Sequence, residues 1–200
     1  PGDYMPTSVA VNEERHGGNG DIWVADGYGQ NYVHRYDKTG RYLNSINGKE
    51  GDAGLFNCPH GIWIDRRKNE KELYITDREN QQLQIYDLDG LFKRSVGSDF
   101  LNSPSGFANH KDLLIIAELN ARLAILDTND NLVCLIGNNG EVVSTNGWPN
   151  NLNEQDYVIP PQLLKPGKFN SPHGIATDSD GNIYIAEWLI GGRYTKLVKL

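Results

Sequence analysis

Two histidines sit in matching settings: Pro59-His60-Gly61-Ile62 and Pro172-His173-Gly174-Ile175. Imidazoles that converge from different parts of a chain can hold a divalent metal. Zinc held by three of them keeps a fourth position open for water or substrate, as catalytic rather than structural zinc does. Tyr28 in Asp26-Gly27-Tyr28-Gly29 and Arg78 in Asp77-Arg78-Glu79-Asn80 add two further kinds of chemistry. A phenol serves as a base near neutral pH only if a nearby cation lowers its pKa from about 10. A guanidinium offers a planar fork to a carboxylate. Each residue also has a plainer reading. Pro-His-Gly can be a tight strand start whose imidazole bonds to backbone, Tyr28 a turn aromatic, and Arg78 an ion pair between neighbouring repeats.

The elements that would position these residues recur along the chain. Ile22–Asp26, Leu73–Asp77, Leu114–Glu118 and Ile183–Glu187 are β-branched and aromatic runs closed by a carboxylate, spaced by 51, 41 and 69 residues. Intervals of about 40 to 50 residues mark propeller blades. About ten residues after each run start come the alternating segments Tyr32–Asp37, Leu83–Asp87, Leu123–Asp127 and Thr195–Leu200, expected as third strands. Turns then lead to fourth strands at Tyr42–Ile46, Phe92–Val96 and Leu132–Ile136. First strands begin beside a proline, where no ladder donor is lost: Pro6–Val11, Pro59–Ile64, Pro104–Ala108 and Pro172–Ala176.

The pattern predicts an all-β fold, a single β-propeller domain over 1–200 with blades at about 5–51, 52–99, 100–138 and 169–200. An insertion at about 139–168 reads as a loop able to act as a lid. The last repeat shows three strands, and propellers close with about 4 to 8 blades, so the four blades are expected to belong to a six-bladed ring. The residues after the four prolines are Thr7, His60, Ser105 and His173. Histidine thus recurs in alternate blades, which places a third one in a blade outside this chain.

Composition narrows the function classes. A net charge of −7 and a pI near 5.2, with no clustered basic stripe, oppose nucleic-acid binding. No apolar run reaches the roughly 20 residues of a membrane span. Cys58 and Cys134 fall in different repeats, which gives a disulfide no local support, and two cysteines alone make no zinc site. Asp178–Asn182 mimics the start of a calcium loop, but Leu189 stands where the closing Glu would be, so it reads as a turn. Gly17–Gly20 lacks the Lys-Ser/Thr of a phosphate cradle. His16, His34 and His110 read as solvated or structural.

Taken in order, Asp26-Gly-Tyr28, Pro59-His-Gly61, Asp77-Arg-Glu-Asn80, Ala117-Glu-Leu-Asn-Ala121 and Pro172-His-Gly174 resemble bacterial NHL-repeat proteins similar to peptidyl-α-hydroxyglycine α-amidating lyase. The likeness runs over essentially the whole chain. It implies a six-bladed propeller that holds zinc through three histidines, two of them matched by His60 and His173. It also implies that Tyr28 is the base, that Arg78 is an active-site arginine, and that a peptidyl-α-hydroxyglycine is cleaved to a peptide amide and glyoxylate without redox change. The third zinc ligand and a further arginine belong to blades outside this chain. A small-molecule or peptide substrate and a secreted or periplasmic location follow from the same resemblance.

The chain also departs from the family. Gly174 replaces an aspartate associated with calcium in the animal enzymes, and Ser171 replaces a nearby methionine, which argues against calcium. Gly29 replaces a cysteine and removes its disulfide. The alternative function is a non-catalytic NHL propeller whose loops bind protein or carbohydrate, a use the fold supports equally well. Hydrolase or lactonase chemistry of the calcium-centred propellers ranks last, since it calls for inward carboxylates rather than paired histidines.

Overall fold

The computed structural model of the chain describes residues 3–150 and 164–199. Its strands form four antiparallel meanders. The first is β1 (Ser8–Val11), β2 (Ile22–Asp26), β3 (Tyr32–Tyr36) and β4 (Tyr42–Ile46). The second is β5 (Pro59–Asp65), β6 (Glu72–Asp77), β7 (Gln82–Tyr86) and β8 (Phe92–Val96). The third is β9 (Pro104–His110), β10 (Leu113–Glu118), β11 (Arg122–Leu126) and β12 (Leu132–Ile136). The fourth has three strands among the described residues: β13 (Pro172–Thr177), β14 (Ile183–Glu187) and β15 (Arg193–Leu197). These are the blades expected from the repeat. Single helical turns at Glu14–His16 and Gly140–Val143 lie in connections and leave the sheets intact. Residues 151–163 of the expected insertion lie outside the described residues.

The chain divides into two compact units, Pro1–Pro104 and Ser105–Leu200. In the first, the two-residue period of the strands sends Trp23, Ala25 and Val33 to one face of the first blade. There they meet Ile62, Ile64, Leu73, Ile75 and Tyr86 of the second, with Phe56 of the connecting loop completing the layer. In the second unit Ile115, Ala117, Leu123 and Ile125 pack against Ile183, Ile185 and Phe169. Each fully buried side chain of this size contributes about 1.5–3 kcal/mol relative to exposure, so these layers hold neighbouring blades together.

The carboxylates that close the second strands explain the repeat physically. Asp26 is buried and accepts from the Met5 and Gln30 N–H groups at 2.6 and 3.0 Å. Asp77 accepts from Asn57 N–H at 2.7 Å and from the Asn80, Gln82 and Gln84 amides. Glu187 accepts from Asn170 and Ser171 N–H, at 2.5 and 3.2 Å. In three blades, therefore, this carboxylate ties down the backbone just before the proline that starts the first strand. A buried N–H without such a partner costs about 1–3 kcal/mol.

A second aspartate shapes the tight turns. Asp37, Asp87, Asp127 and Asp178 each accept from the N–H groups two and four residues on, at 2.8–3.1 Å. The intervening Gly40, Gly90, Asp130 and Gly181 adopt positive φ. Asp178 also accepts from the Asn182 amide and the Tyr184 hydroxyl. The calcium-like motif is thus this turn with its carboxylate already occupied.

Candidate functional site

Three residues singled out in the sequence come together in the first unit. Tyr28 lies in the turn between β2 and β3, His60 is the second residue of β5, and Arg78 directly follows β6. Tyr28 Oη and His60 Nε2 share a hydrogen bond of 3.0 Å. Arg78 Nη1 donates to the same phenol oxygen at 3.2 Å, and its guanidinium stands 5.4 Å from the Tyr28 ring centre. The Tyr28 and His60 rings meet edge-on, centroids 5.5 Å apart.

The local sequence enforces this approach. A Cβ on Gly27 would lie 2.3 Å from the Pro59 carbonyl oxygen, and one on Gly29 equally close to the Asp26 carboxylate. Only glycine lets the turn carrying Tyr28 pass so near the residue before His60. Arg78 N–H donates to Cys58 O at 3.2 Å and Glu79 N–H to Asn57 O at 3.0 Å, so the end of β6 is fastened beside the start of β5. Thr7 Oγ1 donates to Pro59 O at 3.0 Å, and Asn31 Oδ1 accepts from Cys58 N–H at 3.0 Å, so the two residues before His60 are tied to the first blade.

Exposure divides the roles. His60 is 3% exposed and Tyr28 51%, so the phenol is the group that solvent and ligand reach. Burial works against the Arg78 charge, but the hydrogen bond to Tyr28, with Cys58 and Glu79, outweighs it and keeps the group cationic. Arg78 can only donate, so Tyr28 Oη accepts from it. The other contact of that oxygen, 3.0 Å from His60 Nε2, takes its direction from the imidazole tautomer. Burial pushes the Cys58 thiol up, with Arg78 opposing, so Cys58 is a packing residue rather than a nucleophile. Both Cys58 and Cys134 are free.

His173 lies in the second unit as the second residue of β13, the place His60 holds in β5. Both histidines fall within an interruption of strand register, between Pro59 and Ile62 and between Pro172 and Gly174. A bulge of this kind re-aims a side chain. In the second unit a Cβ on Gly106 would sit 2.7 Å from the His173 carbonyl oxygen, so the neighbouring β9 approaches closely there. Thr7 and Ser105 occupy the corresponding positions of the other two blades, and Ser105 is buried.

Among the described residues no group of three or more His, Cys, Asp or Glu is placed to hold a metal. An imidazole nitrogen serves zinc at about 2.0–2.1 Å, and His60 offers Nε2, with the Tyr28 phenol oxygen 3.0 Å from it. A cavity of about 520 Å³ on the first blade is lined by Tyr4, Tyr32, His34 and Tyr36, together with Asp26 and Gln30 from the two ends of the turn that carries Tyr28.

A family model described as 6-bladed beta-propeller matches residues 16–115, half of the chain. The chain belongs to the six-bladed β-propeller family. An NHL-repeat model matches residues 169–188, around β13 and β14 of this propeller. Peptidyl-alpha-hydroxyglycine alpha-amidating lyase 1 of Drosophila melanogaster is 29% identical over 200 residues, covering 91% of this chain and 33% of the relative. Protein brain tumor of the same organism is 31% identical over 137 residues, 66% of this chain and 12% of the relative. The propeller therefore spans a third or less of the length of these two relatives. Among solved structures, virginiamycin B lyase from Staphylococcus aureus aligns with a TM-score of 0.60 at 14% identity, over 98% of this chain and 56% of that one. At that identity the match supports the fold alone. No helix of the described residues is long and apolar enough to cross a membrane.

Proposed function

We propose that this propeller supplies part of a zinc-dependent lyase site that cleaves a peptidyl-α-hydroxyglycine, or a related carbinolamide, to an amide and glyoxylate. The observation that carries the reading is the meeting of Tyr28, His60 and Arg78 through one phenol oxygen. The similarity to an α-amidating lyase adds the reaction class. His60 and His173 would hold the zinc, with a third ligand from a blade outside this chain. When bound, zinc supplies Lewis acidity that makes a substrate hydroxyl more acidic.

The chain's own residues do the rest. Tyr28, as tyrosinate, takes the proton of the carbinol hydroxyl. The oxygen's electrons form the aldehyde carbonyl, the carbon–nitrogen bond breaks, and the departing amide nitrogen receives the proton that Tyr28 removed, which returns Tyr28 to its starting state. Arg78 holds charge on the Tyr28 oxygen and offers its remaining donors to the substrate carboxylate. The imidazole nitrogens of His60 and His173 do not suit calcium, which takes oxygen ligands, so calcium has no part in the proposal.

The test uses the longer protein containing this chain, assayed for bound zinc and for glyoxylate released from an N-acyl-α-hydroxyglycine. Zinc near one equivalent together with glyoxylate release supports the reading. Protein lacking both would instead support the scaffold function, loops binding protein or carbohydrate.

A further inference from the structure

Arg78 is held from two sides. Its Nε donates to Glu79 Oε1 at 3.1 Å, while Nη1 donates to Tyr28 Oη at 3.2 Å, and Nη2 makes no hydrogen bond among the described residues. Glu79 is the carboxylate that pairs with Arg78 there, because the neighbouring Asp77 is filled by Asn57, Asn80, Gln82 and Gln84. Glu79 is itself anchored, its N–H donating to Asn57 O. Its side chain is 54% exposed, whereas that of Arg78 is 11% exposed. A free arginine side chain would give up about 2 kcal/mol of rotamer entropy to point one way.

We propose that Glu79 is a positioning residue, fixing the guanidinium plane through Nε so that Nη1 meets Tyr28 and the Nη1–Nη2 edge faces an incoming carboxylate. The proposal rests on the lyase reading for its substrate, but the geometry of Arg78 can be tested without it. Charge alone predicts the opposite effect. An acidic side chain beside an anion site repels the anion, so removing it should tighten binding unless the carboxylate acts by aiming Arg78.

The experiment measures, on the chain carrying Glu79→Ala or Glu79→Gln, the solvent exchange of the Arg78 Nε–H by nuclear magnetic resonance and the binding of glyoxylate as a carboxylate probe. Positioning predicts that Glu79→Ala speeds exchange and weakens glyoxylate binding, each by about tenfold. Glu79→Gln keeps an acceptor without the charge and should stay within about threefold of wild type. Unchanged exchange in Glu79→Ala, or tighter glyoxylate binding in both variants, overturns the proposal. If wild type binds no glyoxylate, the lyase reading loses its substrate contact, and the exchange rates by themselves decide for or against Glu79.

Discussion

The phenol oxygen of Tyr28 lies 3.0 Å from Nε2 of His60, two residues 32 positions apart that are brought together by a two-glycine turn and a strand bulge. The pair joins an exposed group to a buried one. Arg78 donates to the same phenol oxygen at 3.2 Å.

Gly27→Ala should separate them. Its Cβ meets the Pro59 carbonyl at 2.3 Å, and backbone oxygen cannot yield as a flexible side chain would. The expected cost is about 1–3 kcal/mol of stability, with loss of the Tyr28–His60 ring contact in nuclear Overhauser spectra. A variant of full stability that keeps the contact would show that the turn has room the structure denies.

Arg78→Ala removes the donor shared by Tyr28 and substrate. On the lyase reading KM should rise by about tenfold or more, since a carboxylate loses a charged partner worth about 1.5–3 kcal/mol. Steady-state kinetics checks it, and an unchanged KM would place the carboxylate elsewhere.

Trp23→Ala tests the layer between the first two blades. Trp23 is fully buried against that layer, and Arg35 stacks 5.4 Å from its ring. Urea unfolding should show a loss of about 3–5 kcal/mol. A loss below 1 kcal/mol would mean that the blades do not depend on this contact.

Glu72 gives a pH signature. Burial alone would push its carboxyl up, but the hydrogen bonds from Arg94 and Lys93, with the charge of Lys68, outweigh burial and hold it at about 2, below its ordinary 4.5. Because the folded value is depressed, its contribution is present above the unfolded pKa and fades as pH falls from about 4.5 towards 2. Glu72→Gln lacks that contribution. The stability gap between wild type and variant should therefore be widest near neutral pH and shrink across this window, as read from urea midpoints at each pH. A constant gap would contradict the assignment.

Much of the architecture was legible because each blade repeats one alternating pattern closed by a carboxylate. β2, β4, β8, β12 and β14 have the bounds the pattern predicts. The last strand was displaced. The alternation of apolar and polar residues predicts a strand over Thr195–Leu200, but β15 runs from Arg193 to Leu197. Its register is set by Arg193 pairing with Glu187, an ion pair matched in the third blade by Arg122 and Glu118. That Arg follows Glu by four or six residues was visible; that it fixes register was not.

The site was legible in part. Residue types and the flanking glycines marked Tyr28, His60 and Arg78, but the shared phenol oxygen depends on backbone contacts over about 30 and 50 residues, which no local pattern encodes. The bulges at both histidines and the pairing of Glu79 with Arg78 likewise had no signal beyond the neighbouring Gly61, Gly174 and Glu79 themselves.

The central claim, that Tyr28 is the proton acceptor of a zinc lyase, is tested most directly by turnover of an N-acyl-α-hydroxyglycine in the longer protein and its Tyr28→Phe variant at matched zinc content. Phenylalanine keeps the ring beside His60 and removes only the hydroxyl. The account predicts a fall in kcat of about 10² or more with zinc content unchanged. Equal turnover in the two proteins at equal zinc would contradict it.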